Sequence, residues 1–195
     1  STSFNASTTM RTQVREAMNN LIYNWKRLIA NPVVTVTFTF TVNGETHAVL
    51  TGNQGDPVDL SSIEAPAAPV GMHFVGWGNV PATFDADATF EAQFANNTDT
   101  KYTVNVYNMD TNYPATPDST YQGAGETNST ADITADAVAA EGFSLDSAKS
   151  TLTGTIAADG SLVLSIYYSR NQYTITYANT DLEPDTYYYG ATVSA

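Results

Sequence analysis

Cysteine is absent from the 195 residues, which excludes disulfides and thiolate metal sites but fixes no compartment. Basic residues are scarce, at 7 Lys and Arg against 20 Asp and Glu, for a net charge of −13. Phosphate neutralisation needs basic patches, so nucleic-acid binding is excluded. Charged residues reach only 14%, and no window approaches the ~18 consecutive apolar residues of a membrane span. Histidine occurs twice, at His47 and His73, each beside apolar positions and far from any Ser nucleophile motif. Two isolated histidines with no close carboxylate partners do not make a zinc site. Asp85-Ala86-Asp87 lacks the glycine and distal glutamate of a calcium loop and reads as a turn. With no nucleophile, base and orienting group in reach of one another, the expectation is no enzymatic activity and no cofactor.

What fills the chain is Thr, Ser, Asn, 12 Tyr and 8 Phe, a mixture that favours strands. Charge is unevenly spread. Residues 1–40 hold Arg11, Arg15, Lys26 and Arg27 against Glu16 (4 − 1 = +3), and the remainder carries 3 − 19 = −16. In the basic segment Val14, Met18, Leu21, Trp25 and Leu28 are spaced 4, 3, 4, 3, the alternation of a heptad seam. Ala17, Ile22 and Ile29 widen the stripe. Ser7, Thr8 or Thr9 can cap its start, and Asn31-Pro32 stops it. Residues 9–30 are therefore expected to form one amphipathic helix within an N-terminal segment, 1–32.

From Val33 the period becomes two. Val34, Val36, Phe38, Phe40 and Val42 alternate with threonines, and Asn43-Gly44 marks a hairpin. A returning strand is expected at His47–Leu50, further strands at Met72–Trp77 and Ala88–Phe94, and a polar linker at Asn96–Thr100. Tyr102–Tyr107 opens a second unit, with a turn-rich excursion from Asn108 to Thr130 and strands near Thr151–Ile156 and Leu162–Tyr168. Thr134–Ala140 reads as a short helix or a strand. Tyr173-Thr-Ile-Thr-Tyr177 restarts the pattern, so a loose repeat of about 70 residues organises the chain.

Residues 34–95 resemble the internalin-type B repeat, through the opening strand, the Pro57–Pro69 middle, Phe74-Val75-Gly76-Trp77 and the closing Ala88–Phe94. Residues 102–169 resemble a diverged copy with Glu141-Gly142-Phe143 in place of the aromatic motif and a closing hairpin from Gly154 to Tyr168. The resemblance implies a mainly β protein: tandem small β-grasp-like modules after one N-terminal amphipathic helix. The expected modules are 33–96, 101–170 and an incomplete third at 172–195, whose early stop predicts that the chain is part of a longer polypeptide. Phe74, Trp77 and Phe143 would be module-core residues. The implied role is a non-catalytic structural or adhesive stalk or fibre on a bacterial surface or extracellular assembly. A virion fibre or decoration protein and a carbohydrate-binding accessory module are the alternatives.

The helix seam, Val14, Met18, Leu21, Trp25 and Leu28, is the expected assembly interface, through self-association or docking to a larger assembly. The tyrosines at 167, 168, 173, 177 and 187–189 could face a surface protein or glycan. Strand parity favours their lining one sheet face instead, since only half of each adjacent pair can be buried.

Overall fold

The computed structural model describes residues 2–30 and 32–193, and the chain is mainly β with one N-terminal helix followed by several small sheets. Helix α1 runs Thr2–Ala30. It starts seven residues earlier than the apolar stripe predicted, so Ser7, Thr8 and Thr9 lie inside it rather than at its cap. The Thr12 hydroxyl donates back to the Thr8 carbonyl at 3.1 Å, one turn earlier, so a hydroxyl in this region bonds within the helix. Arg27 in the last turn faces the negative end of the helix dipole. Asn31, half of the expected stop, lies outside the described residues.

The chain divides into two compact units, Ser1–Glu64 with Trp77–Ala92 and Ala65–Gly76 with Gln93–Ala195. The first sheet has the order β2-β1-β4-β3, from β1 (Thr35–Val42), β2 (Glu45–Asn53), β3 (Met72–Trp77) and β4 (Ala88–Asn96). β1 and β2 are antiparallel across the Asn43-Gly44 turn, where both residues take positive φ (52° and 80°). β4 runs parallel to β1, with Phe38 opposite Ala88 and Phe40 opposite Phe90. The alternation read from the sequence sends Val36, Phe38 and Phe40 inward, where they meet Phe84 and Phe90 in one buried cluster. Gly52 is required here, because a Cβ at that position would stand 2.4 Å from the Phe84 ring.

The second sheet repeats this plan as β6-β5-β10-β8, from β5 (Thr100–Asn108), β6 (Ser119–Gly125), β8 (Phe143–Leu145) and β10 (Val163–Arg170). Again the first strand is central, antiparallel to the second and parallel to the last. A short ladder of β7 (Thr130–Asp132) and β9 (Thr153–Thr155) closes over a core of Val104, Ala131, Ile133, Ile156, Leu164, Ile166 and Tyr168. β6 corrects the expected turn-rich excursion. It is an edge strand with little apolar alternation, and Gly123 leaves the space that the Tyr102 ring occupies. Thr134–Asp136 is a single 3₁₀ turn, and no longer element forms across 134–140. β11 (Gln172–Ile175) and β12 (Asp185–Tyr188) form a separate antiparallel pair.

Candidate functional site

The side chains of helix residues 7–30 are exposed along their whole length. The five seam residues keep 57–71% of their surface in water: Val14 59%, Met18 57%, Leu21 71%, Trp25 60% and Leu28 66%. Met10 and Ile29 on the same stripe are exposed as well, and Ile22 retains 44%. In heptad terms Met18 and Trp25 take a positions, Val14, Leu21 and Leu28 take d, and Ile22 and Ile29 take e. The stripe is thus broader than a two-stranded seam needs. In the same register Arg11 takes an a position and Arg15 an e position at the start of the stripe, while Lys26 and Arg27 take b and c, off it.

The three expected module-core residues are all half-buried. Trp77 packs against the first core, its ring edge-on to Phe40 at 5.1 Å and tilted to His47 at 5.5 Å. Phe143 packs against the second core. Phe74 stands edge-on to Phe94 at 5.9 Å. Phe74 and Trp77 are three apart, an odd spacing that places residues of a regular strand on opposite faces. Gly76, at φ +147°, interrupts that regularity.

A second cluster lies on the outer face of the second sheet. Strand parity puts Val104 and Val106 of β5 toward the core and Tyr107 on the opposite face; on β10 it separates Tyr168, 7% exposed, from Tyr167. Tyr107 and Tyr167 are directly opposed in register and stack with centroids 4.3 Å apart and planes 3° from parallel. Tyr113 meets Tyr167 edge-on at 5.0 Å and donates its hydroxyl to Asp146 at 2.9 Å. The Lys149 ammonium stands 5.5 Å from the Tyr113 centroid and 5.6 Å from that of Tyr167. Burial first, and then the bond to Asp146, push the Tyr113 phenol up to about 12. Sequence reasoning named Tyr167 and missed Tyr107, Tyr113, Asp146 and Lys149. The parity of Tyr107 against Val104 and Val106 was the available signal.

Tyr188 and Tyr189 lie against Arg170. Its guanidinium bonds the Tyr189 carbonyl through Nε at 2.7 Å, pairs with Asp110 at 2.7 Å and lies over the Tyr188 ring. Tyr173 and Tyr189 lie 6.4 Å apart, and the Tyr187 hydroxyl reaches Asp185. The side-chain bond with Tyr177, then burial, push the Tyr187 phenol up to about 12.

Both histidines have hydrogen-bond partners, His47 Nε2 with the Glu64 carbonyl at 2.9 Å and His73 Nδ1 with Asn97 Oδ1 at 3.1 Å. Asp85 accepts from the Thr83 hydroxyl two residues back, as a turn carboxylate does, and Asp87 accepts from the Thr37 amide of β1, both at 2.8 Å. Among the described residues no three His, Cys, Asp or Glu side chains come together to hold a metal ion. Among them, too, no helix is long and apolar enough to cross a membrane.

No family model matches the chain, and no curated protein matches it. Among solved structures the chain is similar to Mub-RV. The likeness covers 71% of this chain and 98% of that one, at 16% identity and a TM-score of 0.22. So low a score bears on neither fold nor function.

Proposed function

We propose that the chain is a non-catalytic stalk or adhesive fibre subunit of a bacterial surface or extracellular assembly. Its tandem modules, relatives of the internalin-type B repeat, act as spacers, and α1 joins copies of the chain. The observation that carries this reading is the exposed heptad stripe of α1, set before two sheets of one topology.

Magnitudes favour a helix partner. Burying an aliphatic side chain fully is worth about 1.5–3 kcal/mol, so five seam residues that are mostly exposed hold roughly 5–9 kcal/mol per chain. Association costs about 4–15 kcal/mol in lost freedom, so the seam alone is marginal. Ile22 and Ile29 at e and Met10 at g add the margin, but only where those flanking positions are covered as well. That requires a bundle of more than two helices, and the bulk of Trp25 at an a position points the same way. The 4-3-4-3 spacing fits another helix of the same period, which every further copy supplies. The basic residues repel within such a bundle, and the −16 body supplies the compensating charge.

Light scattering on the full chain and on a Leu21→Glu/Leu28→Glu variant tests this. The expected result is a complex of three or more copies for the full chain and a monomer for the variant, with unchanged β circular dichroism. A full chain that stays monomeric at tens of micromolar would remove α1 as an assembly element.

A further inference from the structure

We propose that the modules are mechanical clamps: each sheet is wired so that tension along the chain loads its central strand pair in shear. The observation is topological. In both sheets the strand by which the chain enters and the strand by which it leaves are neighbours and run parallel.

In the second sheet the chain enters at Thr100, the start of β5, and leaves at Arg170, the end of β10. The two strands are in register over six pairs, from Thr103 opposite Val163 to Asn108 opposite Tyr168. The ladder is closed at its ends by Thr103 N–H donating to the Leu162 carbonyl and Met109 N–H donating to the Tyr168 carbonyl, each at 2.9 Å. Because the strands are parallel, Thr100 lies toward one end of the pair and Arg170 toward the other. Pulling the chain at both points drives the strands past each other along their own axes. The ladder bonds then resist together, whereas antiparallel entry and exit strands would present both ends on one side and unzip bond by bond.

Side chains reinforce the same pair. The flat Tyr107–Tyr167 stack bridges β5 and β10 directly, and sliding the strands forces the rings apart. Tyr113 and Lys149 hold Tyr167 from β10's flank. The first sheet has the same wiring on a shorter ladder. β1 and β4 are in register over four pairs, from Phe38 opposite Ala88 to Thr41 opposite Glu91, and the Thr41 hydroxyl hydrogen-bonds the Glu91 carboxylate. The second sheet is therefore the stronger clamp. Tension is what a stalk transmits, so the biological purpose rests on the stalk reading, while the mechanics rest on topology alone.

The chain has no cysteine, so attachment points can be installed one pair at a time. Asp99→Cys with Gln172→Cys loads β5 and β10 at opposite ends; Asp99→Cys with Ser161→Cys loads both at the same end and peels them. Each full-length double variant is stretched in an optical trap at one loading rate, after circular dichroism shows that it is folded. Forced opening reads the unfolding rate, which the simultaneous loading of the ladder lowers. The expected result is a rupture force several times higher for the 99/172 pair than for the 99/161 pair. Equal forces, or a higher force in the peeling geometry, would overturn the clamp. Light scattering reads the helix separately, so failure of the clamp leaves the assembly reading standing, and the reverse also holds.

Discussion

Phe40→Ala should bring the first module to the edge of unfolding, and its cost can be worked from the contacts. Phe40 is 0% exposed in the middle of β1, with Trp77 edge-on at 5.1 Å and Phe90 tilted at 5.5 Å. Truncating a buried phenylalanine costs about 3–5 kcal/mol, because transfer energy is lost and a cavity remains. The two ring pairs account for about 0.5–1.5 kcal/mol each. Against this, stability of ~0.05–0.15 kcal/mol per residue gives a module of roughly 60 residues only about 3–9 kcal/mol. The cluster has only five buried members, so neighbours have little apolar bulk with which to collapse the gap. Phe40→Leu keeps most of the volume and should cost about 1–2 kcal/mol. The assay is urea unfolding followed by tryptophan fluorescence, in a Trp25→Phe background that leaves Trp77 as the one reporter. A loss under about 1 kcal/mol for Phe40→Ala, or equal losses for Ala and Leu, would refute the view that this ring closes the core.

Thr127→Val should destabilise the second unit by about 1–3 kcal/mol in chemical unfolding, since the 1%-exposed hydroxyl donates to the Gly71 carbonyl at 2.8 Å and pairs with Thr100 Oγ1 at 2.6 Å. Gly142→Ala should loosen the β11–β12 hairpin: the residue holds φ +82°, and a Cβ would lie 2.0 Å from the Tyr189 ring. Faster amide exchange at Tyr189, whose N–H donates to the Asn171 carbonyl at 2.8 Å, would register it. The Tyr113 phenol is raised from its ordinary 10 to about 12, so its contribution is complete below pH 10 and is lost as pH climbs toward 12. Tyr113→Phe removes that loss, and its urea midpoint should fall less steeply than the parent's above pH 10.

The strands that the sequence announced are those with one buried face and one wet face. β1 shows this best, because Val36, Phe38 and Phe40 alternate with threonine and Asn43-Gly44 supplies the turn. β10 was equally legible from Leu164 and Ile166. β6 was not, because an edge strand needs no apolar period and its glycines make room for side chains, Gly123 for Tyr102 and Gly125 for Ile156, rather than a turn. The helix stripe gave α1 its end at Ala30 but not its start, since residues 2–9 hold few apolar positions to count. Long-range pairs left no local trace: Tyr113 and Asp146 are 33 residues apart in sequence, and no spacing rule joins them. The stretch read as a polar linker is held at Asn97, whose N–H donates to the Gly71 carbonyl and whose carbonyl accepts from the Thr127 N–H.

The two sheets share a topology but differ in their rings: the first buries a cluster of phenylalanines, and the second stacks Tyr107 on Tyr167 outside its core. The first module fills its interior with Phe38, Phe40, Phe84 and Phe90, and Trp77 closes one side. The second fills the same space with Val104, Leu164, Ile166, Ile133 and Ile156, aliphatic except for Tyr168. A core built from smaller side chains needs more of them, and the β7–β9 ladder brings Ala131 and Ile133 to the site. Tyr102 and Phe143 pack against this core, whereas Tyr107, Tyr113 and Tyr167 lie on the outer face, where the Tyr113 phenol keeps its hydroxyl bonded to Asp146. The Tyr107–Tyr167 stack thus lies outside a core whose buried members are aliphatic but for Tyr168.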